Sequence, residues 1–357
     1  MPTISLCMIV KNEEETLARC LDSIQEIADE IIIVDTGSTD KTKEIAGKYT
    51  DKIYDFVWID DFSAARNFSF SKATMDYIMW LDADDIILEE DRIKFLRLKK
   101  TLDRSVDFVT MKYNTGFDNQ GNVTFSYYRE RLSKRSLNPK WEEPVHEYLQ
   151  MSGKIININI CITHQKIHPP TKGRNLAIYE KIVASGKELT PRGQYYFARE
   201  LKDNGRFDEA IEYFNKFLDS GKGWIEDNIS ACSGLASCYQ AKGESGNYLQ
   251  ALFRSFEYAV PRAEACCQIG YHFKAKESYR EAQFWFELAT KLKKPESSWG
   301  FCQEDYWGYI PCMELCVCHY ALGNIQEAIE YNNKAATFKP NDPAVIFNNN
   351  FFKNLTP

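Results

Sequence analysis

The sequence predicts an α/β domain built on a mixed sheet, followed by an all-α solenoid of paired helices. Three observations carry this. Over roughly the first 170 residues, short β-branched and apolar runs alternate with helical patterns, as expected of a largely parallel sheet with crossover helices. Beyond about residue 175 the strand signals stop and the apolar positions follow a helical period. Within that second part a short phrase recurs, centred on Ala210, Ala251, Ala282 and Ala328.

Taken in order, residues 4–10 read as a strand, followed by a helix with Leu17, Leu21 and Ile24 on one face. Residues 31–34 form the second strand, and the turn Asp35-Thr36-Gly37-Ser38-Thr39-Asp40 ends in capping residues that start a helix running toward Tyr49. A third strand spans about 53–57, a helix starts near Ser63, and residues 77–81 form a strand that stops in Asp82-Ala83-Asp84-Asp85. Residues 108–113 and 123–128, separated by Asp118-Asn119-Gln120-Gly121, read as an antiparallel excursion. A further strand covers 154–163, and a linker near residues 169–173 divides the chain into 1–172 and 173–357.

In the second part Gly205-Arg206-Phe207-Asp208-Glu209-Ala210 is echoed by Ser278-Tyr279-Arg280-Glu281-Ala282 and Gly323-Asn324-Ile325-Gln326-Glu327-Ala328. The alanines are 41, 31 and 46 residues apart, bracketing the ~34-residue period of tetratricopeptide helix pairs. Small residues at such points let two helices approach closely. Stacked pairs extend a core and also create concave surfaces that bind peptides or partner subunits.

At 357 residues with a net charge of -7, the chain lacks the basic face of a nucleic-acid binder. No apolar stretch is long enough for a membrane span, and Met1-Pro2-Thr3 leads into a strand with no secretory signal, so a cytoplasmic location is expected. The eleven cysteines are then reduced, mostly buried thiols. Cys312, Cys316, Cys318 and His319 have a helical spacing that a soft metal would accept, but no C-x-x-C pair accompanies them.

The chemistry gathers at strand ends. Asp82, Asp84 and Asp85 close an apolar strand, where open α/β sheets bind ligands. Clustered carboxylates suit a hard cation such as Mg²⁺ or Mn²⁺, with phosphate oxygens completing its shell. Val10-Lys11-Asn12-Glu13 offers backbone and polar groups to a base. Asp35 accepts from a base or ribose, or simply forms its turn. Arg66, one turn into a helix, contacts pyrophosphate, stacks on a base, or makes a salt bridge.

The succession Val-Lys-Asn-Glu, Val-Asp-Thr-Gly-Ser-Thr-Asp, Ala-Arg-Asn and Asp-Ala-Asp-Asp over residues 3 to 170 resembles the inverting family 2 glycosyltransferases, whose GT-A fold is a Rossmann-like mixed sheet. That resemblance implies a UDP-sugar donor. Val10, Glu13, Asp35, Thr36, Arg66, Asp82 and Ala83 would line the nucleotide-sugar site, with Asp35 and Arg66 on the uracil side and Asp82 toward the ribose and donor sugar. Asp84 would hold Mg²⁺ or Mn²⁺ at the diphosphate. Many relatives carry a second acid where Thr36 stands, so base contact there falls to backbone or hydroxyl.

An inverting transfer also needs a carboxylate to take the acceptor's proton. The stretch Trp141-Glu142-Glu143-Pro144-Val145-His146-Glu147 supplies it: Glu147 is the expected base, Glu143 the alternative. A Val-His-Glu variant is similar to a subgroup that includes lipooligosaccharide β-1,4-glucosyltransferases and bacteriocin peptide S-glycosyltransferases. His164, 17 residues past Glu147, resembles a further metal ligand, with His168 as substitute. Trp141 and Tyr148 offer a platform to a sugar face or belong to the core. The resemblance implies transfer of a hexose to a Cys, Ser or Thr side chain of a peptide or protein presented by the helical part, which also supports a homodimer. A lipooligosaccharide or surface-glycan precursor is the alternative acceptor. A catalytically silent helical-repeat scaffold is the alternative of another class.

Overall fold

The computed structural model describes residues 1–118, 121–167, 173–295 and 302–355, and the chain divides into two compact units, Met1–Glu188 and Leu189–Pro357. Asn119 and Gln120 of the expected turn, His168, and residues 169–172 of the expected linker lie outside the described residues.

In the first unit, β1 (Ile4–Val10), α1 (Leu17–Ile24), β2 (Glu30–Asp35), α2 (Thr42–Ala46), β3 (Ile53–Asp55), α3 (Phe62–Phe70) and β4 (Tyr77–Trp80) follow the alternation read from the sequence. Then come β5 (Asp85–Ile86), α4 (Glu89–Thr101), β6 (Phe108–Phe117), β7 (Val123–Lys134), the short pair β8 (Trp141–Glu142) and β9 (Tyr148–Leu149), β10 (Ile155–His164) and α5 (Arg174–Ala184).

The main sheet runs β3-β2-β1-β4-β7-β6-β10-β5. β1 pairs in parallel with both β2 and β4, whereas β7 is antiparallel to β4 and β6. The chain order therefore reverses across β1, which creates the crevice at the strands' carboxyl ends where such sheets bind ligands. Burial on both faces explains why β1 reads as a nearly unbroken apolar run. Leu17, Cys20 and Leu21 of α1 and Phe95 of α4 pack on one face with Met8, Met79 and Leu132. Phe70 of α3 packs on the other with Trp80 and Trp141.

β3 is shorter than the sequence suggests. Among the described residues it pairs with β2, in a register that ends at Asp35 against Asp55; the Phe56 N–H still donates to the Asp35 carbonyl at 2.8 Å, but Val57 is 84% exposed. Helix α5 packs within the first unit: the buried Tyr179 hydroxyl donates to the Val145 carbonyl at 3.3 Å, and Lys181 pairs with Asp60 at 2.5 Å.

The second unit is α6 (Pro191–Asp203), α7 (Phe207–Asp219), α8 (Ile225–Ala241), α9 (Ser245–Arg254), α10 (Ala263–Lys274), α11 (Tyr279–Lys291), α12 (Tyr309–Ala321), α13 (Ile325–Phe338) and α14 (Pro343–Leu355). The recurring alanines each lie on the second helix of a pair, α7, α9, α11 and α13, and all are buried. Elsewhere glycines make the room: a β-carbon on Gly270 of α10 would come within 2.8 Å of the Phe286 ring of α11. Two residues before α7, α9 and α13 the chain turns through a left-handed glycine, at φ of 78°, 75° and 82° for Gly205, Gly243 and Gly323. Before α11 the same position is Glu277, at φ 58°. Cys312, Cys316 and Cys318 are buried free thiols on α12, and the neighbouring His319 ring stacks on Tyr331 at 5.2 Å.

Candidate functional site

Parallel pairing sets Val10 opposite Asp35. Asp35 is buried, and its Oδ2 accepts from the backbone N–H groups of Gly37 and Ser38, both at 3.0 Å, so one oxygen forms the turn. Its Oδ1 is buried with no hydrogen-bond partner among the described residues. An acceptor left this way is costly unless a donor fills it. Thr36 directs both its N–H (2.9 Å) and its hydroxyl (3.1 Å) at the Val10 carbonyl, tying the ends of β1 and β2 together. Asn12, in the left-handed region at φ 55°, accepts from Thr39 N–H at 2.8 Å and orders the facing loop. Glu13 accepts from the Thr16 hydroxyl at 2.6 Å where α1 begins. Burial, together with the negative charges of Asp84, Asp82 and Asp40, raises its pKa despite that hydrogen bond.

At the end of β4 the backbone turns, the Asp85 N–H donating to the Asp82 carbonyl at 3.0 Å. The turn divides the three acids. Asp82 and Asp84 are partly exposed, whereas Asp85 is fully buried and pairs with His164 in the antiparallel ladder of β5 and β10. His164 Nδ1 lies 3.3 Å from Asp84 Oδ1 and 3.3 Å from Asp85 Oδ1. One ligand atom from each of these three residues lies within 4.8 Å of the others. Burial opposes a charge on the imidazole, but the two carboxylates outweigh it and push its pKa up to about 9.

The third strand-end group is Arg66 on α3. It is buried, with Trp80 and Trp141 at 4.7 and 4.9 Å from the guanidinium carbon. Its Nη2 donates to Asp82 Oδ1 at 2.8 Å and its Nε to Glu147 Oε1 at 2.7 Å. Arg66 is thus a bridge between two carboxylates. Burial disfavours the charge on Asp82, but the Arg66 guanidinium overrides it and holds the pKa below the usual carboxylate range. Glu147 reaches Arg66 because its loop is pinned on the start of α3: Phe62 N–H donates to the Pro144 carbonyl at 2.8 Å, and the Ser63 hydroxyl donates to the Glu143 carbonyl. Glu143 and His146 take left-handed conformations, φ 72° and 55°, in this tight loop.

The structure therefore brings Asp82, Arg66 and Glu147 into one chain of contacts and Asp84 and His164 into another, with Asp85, read from sequence only as one of the clustered acids, as a further member. Ala83 lies in the apolar core, and Trp141 is likewise buried, its main chain paired with the Asn67 amide. Arg131 and Tyr113, both partners of Asp85, were also missed. They lie 46 and 28 residues away on strands that read simply as an antiparallel excursion. A buried arginine in β7 was the one available signal, since such charges are rarely buried without a partner.

Asp84 and His164 offer a carboxylate and an imidazole at the mouth of the crevice, a donor set that suits Mg²⁺ or Mn²⁺ while leaving room for other oxygens. Residues 5–167 match the family of glycosyl transferase family 2, and residues 194–220 and 263–295 match the tetratricopeptide repeat. The chain thus carries a family 2 glycosyltransferase domain of mixed α/β architecture fused to tetratricopeptide-like helical repeats. A TPR repeat-containing protein of Synechococcus elongatus is 38% identical over 43% of this chain and 36% of its own length. The SPbeta prophage-derived glycosyltransferase SunS of Bacillus subtilis is 29% identical over 62% of this chain and 54% of its own. The chain spans about half or less of these relatives. Glucosyl-3-phosphoglycerate synthase from Mycobacterium tuberculosis, solved with Mn²⁺ and UDP-glucose, aligns at a TM-score of 0.35 and 16% identity over 53% of this chain and 80% of its own. Among the described residues no helix is long and apolar enough to cross a membrane.

Proposed function

We propose that the first unit is a metal-dependent inverting glycosyltransferase that moves a hexose from a UDP-sugar to a Cys, Ser or Thr side chain of a peptide or protein. The observation that carries this reading is the Arg66 bridge. One buried guanidinium joins Glu147, the proposed base, to Asp82, which sits two residues before the metal-type Asp84.

In this reading the acceptor nucleophile attacks the anomeric carbon, the bond from that carbon to the diphosphate oxygen breaks, and the acceptor's proton passes to Glu147. Arg66 occupies Oε1 of Glu147, so Oε2 is the oxygen that takes the proton. The unpartnered Oδ1 of Asp35 suits an N–H of the base, and a uracil ring supplies one. Asp84 and His164 would hold Mg²⁺ or Mn²⁺, which when bound offsets the charge of the departing diphosphate. A peptide acceptor is supported by the helical repeats of the second unit, since stacked helix pairs form peptide-binding surfaces.

The test is UDP release from a panel of nucleotide sugars with Mn²⁺, in the wild type and in Glu147→Gln. The expected result is metal-dependent release from one UDP-sugar, falling ~10²–10⁴-fold in the variant while UDP binding persists. An undiminished rate in the variant removes Glu147 as base. Transfer to a glycan precursor with none to polypeptide replaces the acceptor class, and a protein that binds no nucleotide sugar is the silent scaffold.

A further inference from the structure

Asp84, Asp85 and His164 look interchangeable as ligands, but their hydrogen bonds separate them. Asp85 is fully buried, and both of its oxygens are engaged. Its Oδ2 accepts from Arg131 Nη1 and from the Asp82 N–H, each at 3.1 Å. Its Oδ1 accepts from the Tyr113 hydroxyl at 2.8 Å and faces His164 Nδ1 at 3.3 Å. A carboxylate offers about four acceptor positions, and these four donors fill them.

Proton counting fixes the imidazole. Tyr113 has a single hydroxyl proton, which goes to Asp85, so its oxygen acts as an acceptor toward His164 Nδ1 at 3.0 Å. The other neighbours of Nδ1 given above are carboxylate oxygens of Asp84 and Asp85, also acceptors. A ring nitrogen surrounded by acceptors is the one that carries hydrogen. In the neutral ring, the form that binds a cation, the lone pair is then on Nε2.

Resting on the metal-dependent reading of this site, we infer that Asp85 is a positioning carboxylate and not a ligand: braced by Arg131 and Tyr113, it holds the Nδ1–H of His164 so that Nε2 and Asp84 receive the cation. The arrangement is that of a carboxylate orienting a metal-binding histidine, where the orienting partner fixes the ring's tautomer and direction. Asp84, at 23% side-chain exposure, keeps the accessible oxygens.

Two measurements on the full chain test this. In ¹⁵N-labelled protein with UDP, Mg²⁺ is added and the ring nitrogens of His164 are followed by NMR, with His164→Gln to assign them. The expected outcome is a shift at Nε2 with Nδ1 still protonated; loss of the Nδ1 proton overturns the inference. In Mn²⁺ titrations with UDP read by electron paramagnetic resonance, Asp84→Asn is expected to lose measurable binding. Asp85→Asn and Tyr113→Phe should each weaken it by ~10–100-fold, the usual cost of removing an orienting partner. Asp85→Asn losing as much as Asp84→Asn, or Tyr113→Phe losing nothing, overturns it as well. Tyr113→Phe keeps the ring and thus the packing, so it remains informative if Asp85→Asn does not fold. A wild type that binds no Mn²⁺ under these conditions defeats the metal reading itself and this inference with it, whereas binding with the wrong nitrogen defeats this inference alone.

Discussion

The two units differ in what they bury most deeply, although the second also holds part-buried ion pairs such as Arg262 with Glu226. Near its sheet the first unit encloses charged groups: Arg131 with Asp85, Arg66 with Asp82 and Glu147, and Glu30 with Lys52. The second unit packs its helices with small residues against aromatic rings, between pairs at Gly234 with Phe214 and within a pair at Gly270 with Phe286. Its buried side chains are mostly alanines, cysteines and aromatics. A repeat array needs only neighbour-to-neighbour packing. A site at a sheet's switch point must hold carboxylates at fixed positions, and buried carboxylates need cationic partners. The contrast is therefore between packing closed by shape and packing that also holds charge.

The sharpest way to break this comparison is to damage each unit by its own device. Phe286→Ala should cost about 4 kcal/mol, the range for emptying an aromatic site in a core. Hydrogen exchange should show the loss across α10 and α11, with Mn²⁺ binding by the first unit unchanged. If metal binding falls as well, the second unit is not merely support. Arg66→Met should cost about 3 kcal/mol in urea unfolding, the low end for a broken buried ion pair, because Asp82 is itself 36% exposed. Activity should fall further than stability, since the variant also frees Glu147.

Glu30 gives a pH-dependent version of the same contrast at the opposite end of β2 from Asp35. Burial opposes its charge, but hydrogen bonds from Lys52, Ser5 and Thr74 lower its pKa to about 2. The folded value lies below the ~4.3 of an unfolded chain. Its contribution is therefore complete above that value and is lost as pH falls through 4 toward 2. Glu30→Gln should cost about 2 kcal/mol at pH 7, and the gap to wild type in urea midpoints should narrow by pH 3. The smallest effect belongs to the repeats. Glu277 holds the left-handed position that glycine fills before α7, α9 and α13. Glu277→Gly should stabilise the second unit by ~0.5–1 kcal/mol, seen as slower exchange in α11.

Much of this division was legible from residues. The alternating runs placed β1, β2 and β4, and the recurring alanines marked the second helix of each pair, because both depend on local periodicity. The acids after β4 and the lone His164 were legible as types but not as an arrangement. What separates Asp84 from Asp85 is burial, and burial comes from Arg131 and Tyr113 on strands whose pairing no local pattern specifies. Arg66 was read as free to meet a nucleotide, bind a base or make a salt bridge; its setting between Trp80 and Trp141 depends on a loop docked on α3 from 81 residues away. The extent of α5's attachment was hidden for the same reason: Tyr179 finds its partner, Val145, only in three dimensions.

The ladder between β10 and β5 also governs when the site exists. His164 joins Asp85 across 79 residues of chain, so a nascent polypeptide displays its acidic cluster well before the imidazole has been made. Until β10 docks, those carboxylates lack the imidazole partner. Closing so distant a pairing is a slow kind of step. If the proposed cation site is correct, its capacity to bind the ion would report that β10 has docked beside β5, so ion binding would serve as a gauge of correct maturation in this unit.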